Sequence, residues 1–122
     1  MPVALEYKSD HLVVRLVGSS AMTSLRRNLV LPYSDITTAI VEAPRWPSLI
    51  KEWRIGTHLP GVIAHGFFST WNGRHRRFVH FNRGTDRTLT IHLEGHPDLE
   101  EVSVEVRDPD AAQKEIASRA QR

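Results

Sequence analysis

The sequence contains no cysteine. Disulfide bonds, thiolate nucleophiles, zinc ribbons and iron–sulfur clusters are therefore excluded together. Long apolar runs are also missing, and the first eleven residues lack the basic start and apolar core of a signal peptide. With 122 residues, these absences predict one domain, residues 1–122, of a cytoplasmic protein without a transmembrane segment.

Charge is unevenly distributed along the chain. Lys and Arg number 16 against 14 Asp and Glu. Residues 62–93 nevertheless hold five basic residues, one acid and four histidines, whereas residues 94–122 hold four basic residues and eight acids. An acidic partner would therefore meet residues 62–93.

Alternating apolar and polar residues predict about seven antiparallel strands. Residues 3–7 alternate, Ser9-Asp10 interrupts, and the pattern resumes at residues 11–17, which predicts a hairpin. The alternation recurs at residues 88–93 and 102–107. For residues 88–93 it predicts a strand that is buried on one face only.

A second hairpin is predicted around Asn72-Gly73, because both residues tolerate positive φ. Its strands would be residues 62–68 and 76–82. Gly66 interrupts the first of them, which indicates a bulge or a close approach of two backbones.

Prolines and glycines recur between residues 44 and 61 and predict an irregular connection there. Trp46 and Trp53 would pack on the sheet beneath this connection. Before it, residues 31–42 are rich in β-branched side chains and predict a strand that begins beside Pro32.

Two stretches have helical spacing. Apolar residues up to Leu29 predict a short helix near residues 20–28, and Asp108-Pro109 predicts the start of a C-terminal helix at residues 109–120. One such helix can cap one opening of a sheet. The fold predicted is mainly β (α+β): a strongly bent antiparallel sheet or partly open barrel, capped by that helix.

Three segments carry a resemblance to a known family: residues 54–68 (RIGTHLPGVIAHGFF), 76–81 (RRFVHF) and 104–117 (VEVRDPDAAQKEIA). Over residues 10–118 the chain resembles small bacterial proteins with a PH-like domain, of the pleckstrin-homology superfold. The resemblance implies that fold, and it implies no assigned function.

The first hairpin departs from PH domains that bind phosphoinositides. Such domains carry several basic residues around this loop, whereas this chain has Lys8, Ser9, Asp10 and His11. The acid in the middle argues against an inositol-phosphate site there.

Some arginines lie beside the predicted second turn and two lie near the opposite turn of the same meander, and all could bind phosphates or carboxylates. Together with one tryptophan that could enter a membrane interface, they form the candidate binding set: Trp71, Arg74, Arg76, Arg77, Arg83 and Arg87. Strand alternation places Arg76 and Arg77 on opposite faces. The alternative interpretation is a solvated hairpin tip whose charges oppose aggregation.

Thr57 and His58, between two glycines, could line a small pocket. His80 and His92 could be cross-strand neighbours, yet there is no HExxH motif, and Asp86 is the one acid in residues 62–93. We therefore expect no metal and no cofactor. Nucleophile-elbow and phosphate-loop motifs are missing too, so no catalytic residue is predicted.

These features favour a non-enzymatic PH-like interaction module that binds a protein partner or its own copies through sheet edges. The first alternative is peripheral binding to anionic lipid through the basic hairpin at Trp71 to Arg77. A small enzyme with pocket histidines is the third possibility. Nucleic acid is a weaker partner candidate because the C-terminal residues are acidic.

Overall fold

The computed structural model describes residues 3–15, 28–46, 52–59, 63–70 and 75–120, with the backbone alone for residues 52–59 and 63. These ranges contain nine strands: β1 Ala4–Tyr7, β2 His11–Arg15, β3 Asn28–Pro32, β4 Ile36–Glu42, β5 Glu52–Leu59, β6 Ile63–Thr70, β7 Arg76–Asn82, β8 Thr88–Leu93 and β9 Glu101–Val104. A 3-10 helix spans Tyr33–Asp35, and helix α1 spans Pro109–Ala120. The described chain is thus mainly β, as predicted.

The first sheet has three antiparallel strands in the order β1-β2-β3. Its first hairpin is confirmed: the Lys8 N–H donates to the His11 carbonyl oxygen at 3.0 Å across Ser9-Asp10. The apolar side chains Leu12 and Val14 of β2 are fully buried, so this sheet turns one face to the interior.

The second sheet has six strands in the order β4-β8-β9-β7-β6-β5. Strand β9 lies between β7 and β8, antiparallel to β8 and parallel to β7. We predicted one bent antiparallel sheet or partly open barrel of about seven strands, whereas the described residues form nine strands in two sheets, with β7 and β9 parallel. Chain order does not reveal that β7 and β8 leave a gap one strand wide, which β9 fills. The described strands form two sheets and no closed barrel.

One apolar core joins both sheets and helix α1. The inward face of the six-stranded sheet contributes buried residues from β7, β8 and β9: Phe78, Leu89, Ile91, Leu93, Val102 and Val104. Helix α1 adds Ala112 and Ile116, which are four residues apart and therefore share one face of the helix. The predicted cap is confirmed as well, because Asp108 Oδ1 accepts a hydrogen bond from the Ala111 N–H at 3.1 Å.

The opposite face of the six-stranded sheet is also buried along β7 and β9 and at Thr88 and Thr90 of β8. This corrects the prediction for residues 88–93 in part, because the His92 side chain stays 37% exposed. Thr88 and Thr90 are 0% exposed, and Thr90 Oγ1 lies 3.2 Å from Ser103 Oγ. Trp46 covers part of this face, with its ring 4.9 Å from that of Phe81. Polar residues in alternation were mistaken for solvent-facing ones, although they hydrogen-bond to each other.

The irregular connection predicted between residues 44 and 61 was wrong at its centre. Strand β5 occupies residues 52–59 and pairs with β6 without a break. Gly56 lies opposite Gly66, whose φ is 142°. Because the register continues from Ile63 to Ser69 on both sides of β6, Gly66 is not a bulge. The prolines flank β5 in sequence and do not interrupt it.

Two further predictions concern residues 20–42. The short helix near residues 20–28 falls almost entirely outside the described residues, but Leu29 lies in β3. The strand predicted for residues 31–42 is divided by the 3-10 helix, and Pro32 ends β3. β-branched residues on both sides of the turn concealed it. Within the described ranges, no helix combines the length and apolar character that crossing a membrane requires.

Candidate functional site

Two members of the predicted basic set, Arg76 and Arg77, lie on opposite faces of β7, as alternation predicted. The Arg76 guanidinium binds Glu100 Oε1 at 2.8 Å and the Pro97 carbonyl oxygen at 3.0 Å. The Arg77 side chain is 5% exposed and donates to the Arg45 carbonyl oxygen at 3.1 Å. Both arginines therefore contact groups of their own chain.

The other members are dispersed. Trp71 and Arg74 lie outside the described residues. Arg87 forms a two-point ion pair with Asp110, at 2.6 and 3.0 Å, and this hydrogen bonding raises the pKa of Arg87. Arg83 is exposed in the β7–β8 turn and has no acidic partner among the described residues. Whether this set binds a ligand stays a prediction.

The predicted pocket residues Thr57 and His58 lie on β5. Their backbones pair with His65 and Ala64 of β6. Trp53 is on the same strand, opposite Ser69.

A cluster of arginines and histidines surrounds one buried carboxylate on the outward face of the six-stranded sheet. Its centre is Glu101, which is 1% exposed and sits in one cross-strand row with Arg77 on β7 and His92 on β8. Glu101 Oε2 accepts a hydrogen bond from Arg45 and lies 3.8 Å from Arg77 Nη1. The two guanidinium groups compensate a charge that would otherwise be costly to bury.

Two imidazoles complete the cluster. Glu101 Oε1 lies 3.4 Å from His75 Nε2 and 3.9 Å from His92 Nδ1. Sequence reasoning missed Glu101, although the alternation of Val102 and Val104 placed it on the face opposite the core. Its charge is compensated by Arg45, which is 56 residues away in sequence, so no local pattern connects the two residues.

A stacked histidine pair lies on the inward face. The rings of His65 and His80 are 3.9 Å apart and nearly parallel, at 3°. His80 is 0% exposed, neither ring nitrogen has a hydrogen-bond partner among the described residues, and burial lowers its pKa to about 3. The predicted pairing of His80 with His92 was wrong, because β9 separates their strands and the two side chains occupy opposite faces.

No metal centre emerges from the part of the chain that the structure describes. Its His, Asp and Glu side chains form no group of three that could hold an ion. Asn82 Oδ1 lies 2.7 Å from His65 Nε2 and acts as the hydrogen-bond partner of this ring.

Among the described residues, no further strand pairs with the outer edge of β1. In the β1–β2 hairpin, Lys8 bonds to His11, so strand alternation directs the backbone groups of Glu6 and Ala4 towards β2 as well. The N–H and C=O groups of Leu5 and Tyr7 must then point away from β2. Val3 follows the same alternation, and its N–H donates to the Glu105 carbonyl oxygen at 2.9 Å. No hydrogen bond to the outward groups of Leu5 and Tyr7 comes from the described residues.

This edge borders a groove of about 610 Å³, which we name the β1 groove. The groove is lined by Val3, Ala4, Leu5, Tyr7, Val106, Arg107, Asp108, Ala111, Ala112 and Glu115. At one end the Arg119 guanidinium lies over the Tyr7 ring at 5.3 Å and binds Glu115 at 2.8 Å. The groove therefore combines an open strand edge with an apolar wall.

Comparisons with protein-family models, with curated proteins and with solved structures gave no match for this chain. The candidate site is therefore judged on its geometry and chemistry.

Proposed function

We propose that the protein is a non-enzymatic PH-like interaction module that binds a protein partner, or a second copy of itself, through an open sheet edge. The observation that carries this proposal is the outer edge of β1. Its four outward backbone groups, on Leu5 and Tyr7, lie beside an apolar groove. Unpaired strand edges are templates for an additional strand.

The ionisable groups that the protein buries support a role without catalysis. Glu101 is compensated by Arg45 and Arg77, and burial keeps His80 neutral through the physiological pH range. Neither residue lines the β1 groove. The groove itself offers hydrogen bonds and apolar contact, which are the means of binding.

Anionic lipid is the second candidate, and Arg83 is the observation that favours it. This arginine is exposed and has no acidic partner in the described ranges. Arg76, Arg77 and Arg87 weaken the case, because Glu100, Glu101 and Asp110 already neutralise them. We therefore rank a protein partner first.

The function is tested in two steps. Sedimentation velocity over a wide concentration range reports self-association. Affinity capture from the native host, followed by binding measurements with each captured protein in purified form, reports other partners. We expect a complex that survives purification. A protein that stays monomeric throughout, with no captured protein binding after purification, would refute the interaction role.

A further inference from the structure

We infer that the β1 groove takes a single extended peptide segment of another protein, with an apolar side chain facing helix α1 and a carboxylate at Arg107. This inference rests on the proposed function and specifies the kind of partner. Three properties of the groove lead to it: its main-chain groups, its shape and its charge.

The outward main-chain groups of β1 favour a polypeptide as the ligand. Leu5 and Tyr7 each present one N–H donor and one C=O acceptor on the outer edge of β1. Positions i and i+2 of a strand are about 7 Å apart. A second extended chain repeats donors and acceptors at this same spacing and satisfies all four groups.

The shape demands a single chain. Val106, Ala111 and Ala112 form an apolar wall opposite β1, and the alanines leave room for a side chain of the incoming peptide. Residues in alternate positions of that peptide would point towards this wall. The edge strand of a folded sheet would bring a neighbouring strand towards the wall on the far side of the groove, so we infer a lone chain. A lone extended segment has no such neighbour.

Arg107 indicates where a carboxylate of the segment would bind. Arg107 is exposed on the rim and has no acidic partner among the described residues. The nearby acids are engaged: Asp108 caps α1 through the Ala111 N–H, and Glu115 binds Arg119. A guanidinium in this position binds a carboxylate at two points.

The test begins with a phage-displayed library of random dodecapeptides selected on the wild-type protein, and continues with synthetic copies of the enriched peptides. Two variants fill the groove, Ala111→Trp and Ala111→Arg, and Ser118→Trp is the matched control on an exposed helix position outside it. We expect either groove variant to abolish binding and the control to bind like the wild type. Thermal unfolding establishes that all variants are folded.

A second pair of variants tests the charge. Arg107→Glu removes the rim guanidinium, and Arg83→Glu makes the same charge change at an exposed arginine outside the groove. Arg107→Glu should weaken binding about tenfold or more, as expected for a hydrogen bond between charged groups. Arg83→Glu should change it less than twofold, since exposed charges away from a site contribute little.

Hydrogen exchange gives the readout that a merely structural effect would not produce. On peptide binding the Leu5 and Tyr7 amides should become protected, while the Glu6 amide, which faces β2, should not change. Peptides that bind the Ala111 variants as well as the wild type would show that the β1 groove is not the peptide-binding site. The proposed interaction role would be unaffected. Binding that Arg107→Glu does not weaken would contradict the proposed contact between Arg107 and a carboxylate of the segment. If no enriched peptide loses binding to the Ala111 variants, the inference is wrong. The proposed function is then still tested separately by the partners captured from the native host.

Discussion

Around β7, β8 and β9 both faces of the six-stranded sheet are largely buried, but by different means. The inward face packs residues such as Phe78, Ile91 and Val102 against the other sheet and helix α1. The outward face surrounds Glu101 with arginines and histidines and adds a smaller apolar cluster beneath Trp46. An apolar face depends on packing, whereas a face with a buried charge depends on every compensating partner.

The largest effect is expected from breaking the charge compensation. Glu101→Gln leaves Arg77 buried without its carboxylate and should reduce the free energy of unfolding by about 3 kcal/mol or more. Glu100→Gln is the matched control, because its partner Arg76 is 38% exposed and such pairs contribute about 1 kcal/mol or less. Urea unfolding measures both. Equal losses would contradict the distinction between the two faces.

The next effect concerns His80, a polar residue on the apolar face. Its pKa is about 3 in the folded protein, against about 6.5 in an unfolded chain. As pH falls the unfolded chain binds a proton first, so the stability present above about pH 6.5 is lost progressively towards pH 3. At pH 5 the loss should be about 2 kcal/mol. Urea unfolding at pH 7 and pH 5, repeated on His80→Phe, isolates this contribution. A variant with the wild-type pH dependence would count against it.

A smaller effect is expected at the start of helix α1, which covers part of the inward face. Asp108→Ala removes the acceptor for the Ala111 N–H and should destabilise the protein by about 1 kcal/mol. Asp98→Ala, at an exposed loop position, is the control and should stay within about 0.5 kcal/mol. Thermal unfolding compares the two variants, and indistinguishable midpoints would mean that the cap does not stabilise α1.

The smallest effect is expected for binding of the protein to lipid vesicles. Co-sedimentation with neutral and anionic vesicles, at low and physiological salt, should show little binding, because three arginines of the candidate set are paired with acids. The Arg83→Glu variant should behave like the wild type. Salt-sensitive binding to anionic vesicles that Arg83→Glu weakens would instead favour the lipid-binding alternative.

Local patterns predicted the elements whose neighbours are close in sequence. The β1–β2 hairpin, β8, β9 and α1 all follow from alternation, turn residues or a cap. Strand β5 was missed because its glycine and flanking prolines resemble a loop. The parallel pairing of β7 with β9 depends on which strand fills a gap, and alternation within one strand does not contain that information.

The candidate sites also divide into features that a local pattern predicted and features that depend on distant segments of the chain. Alternation predicted that Arg76 and Arg77 face apart, because this depends on one strand. It did not predict the cluster at Glu101, whose partners come from three separate segments of the chain. The outer edge of β1, unpaired at Leu5 and Tyr7 within the described residues, could not be predicted either, because it depends on where the other segments of the chain lie.

Amide hydrogen exchange along β1 tests the open edge most directly. We predict slow exchange at Val3, Glu6 and Lys8, whose N–H groups are hydrogen-bonded, and fast exchange at Leu5 and Tyr7, whose N–H groups point outward. If Leu5 and Tyr7 were protected as strongly as Glu6 in the monomeric protein, the edge would already be covered by the chain itself, and β1 would not be the binding site.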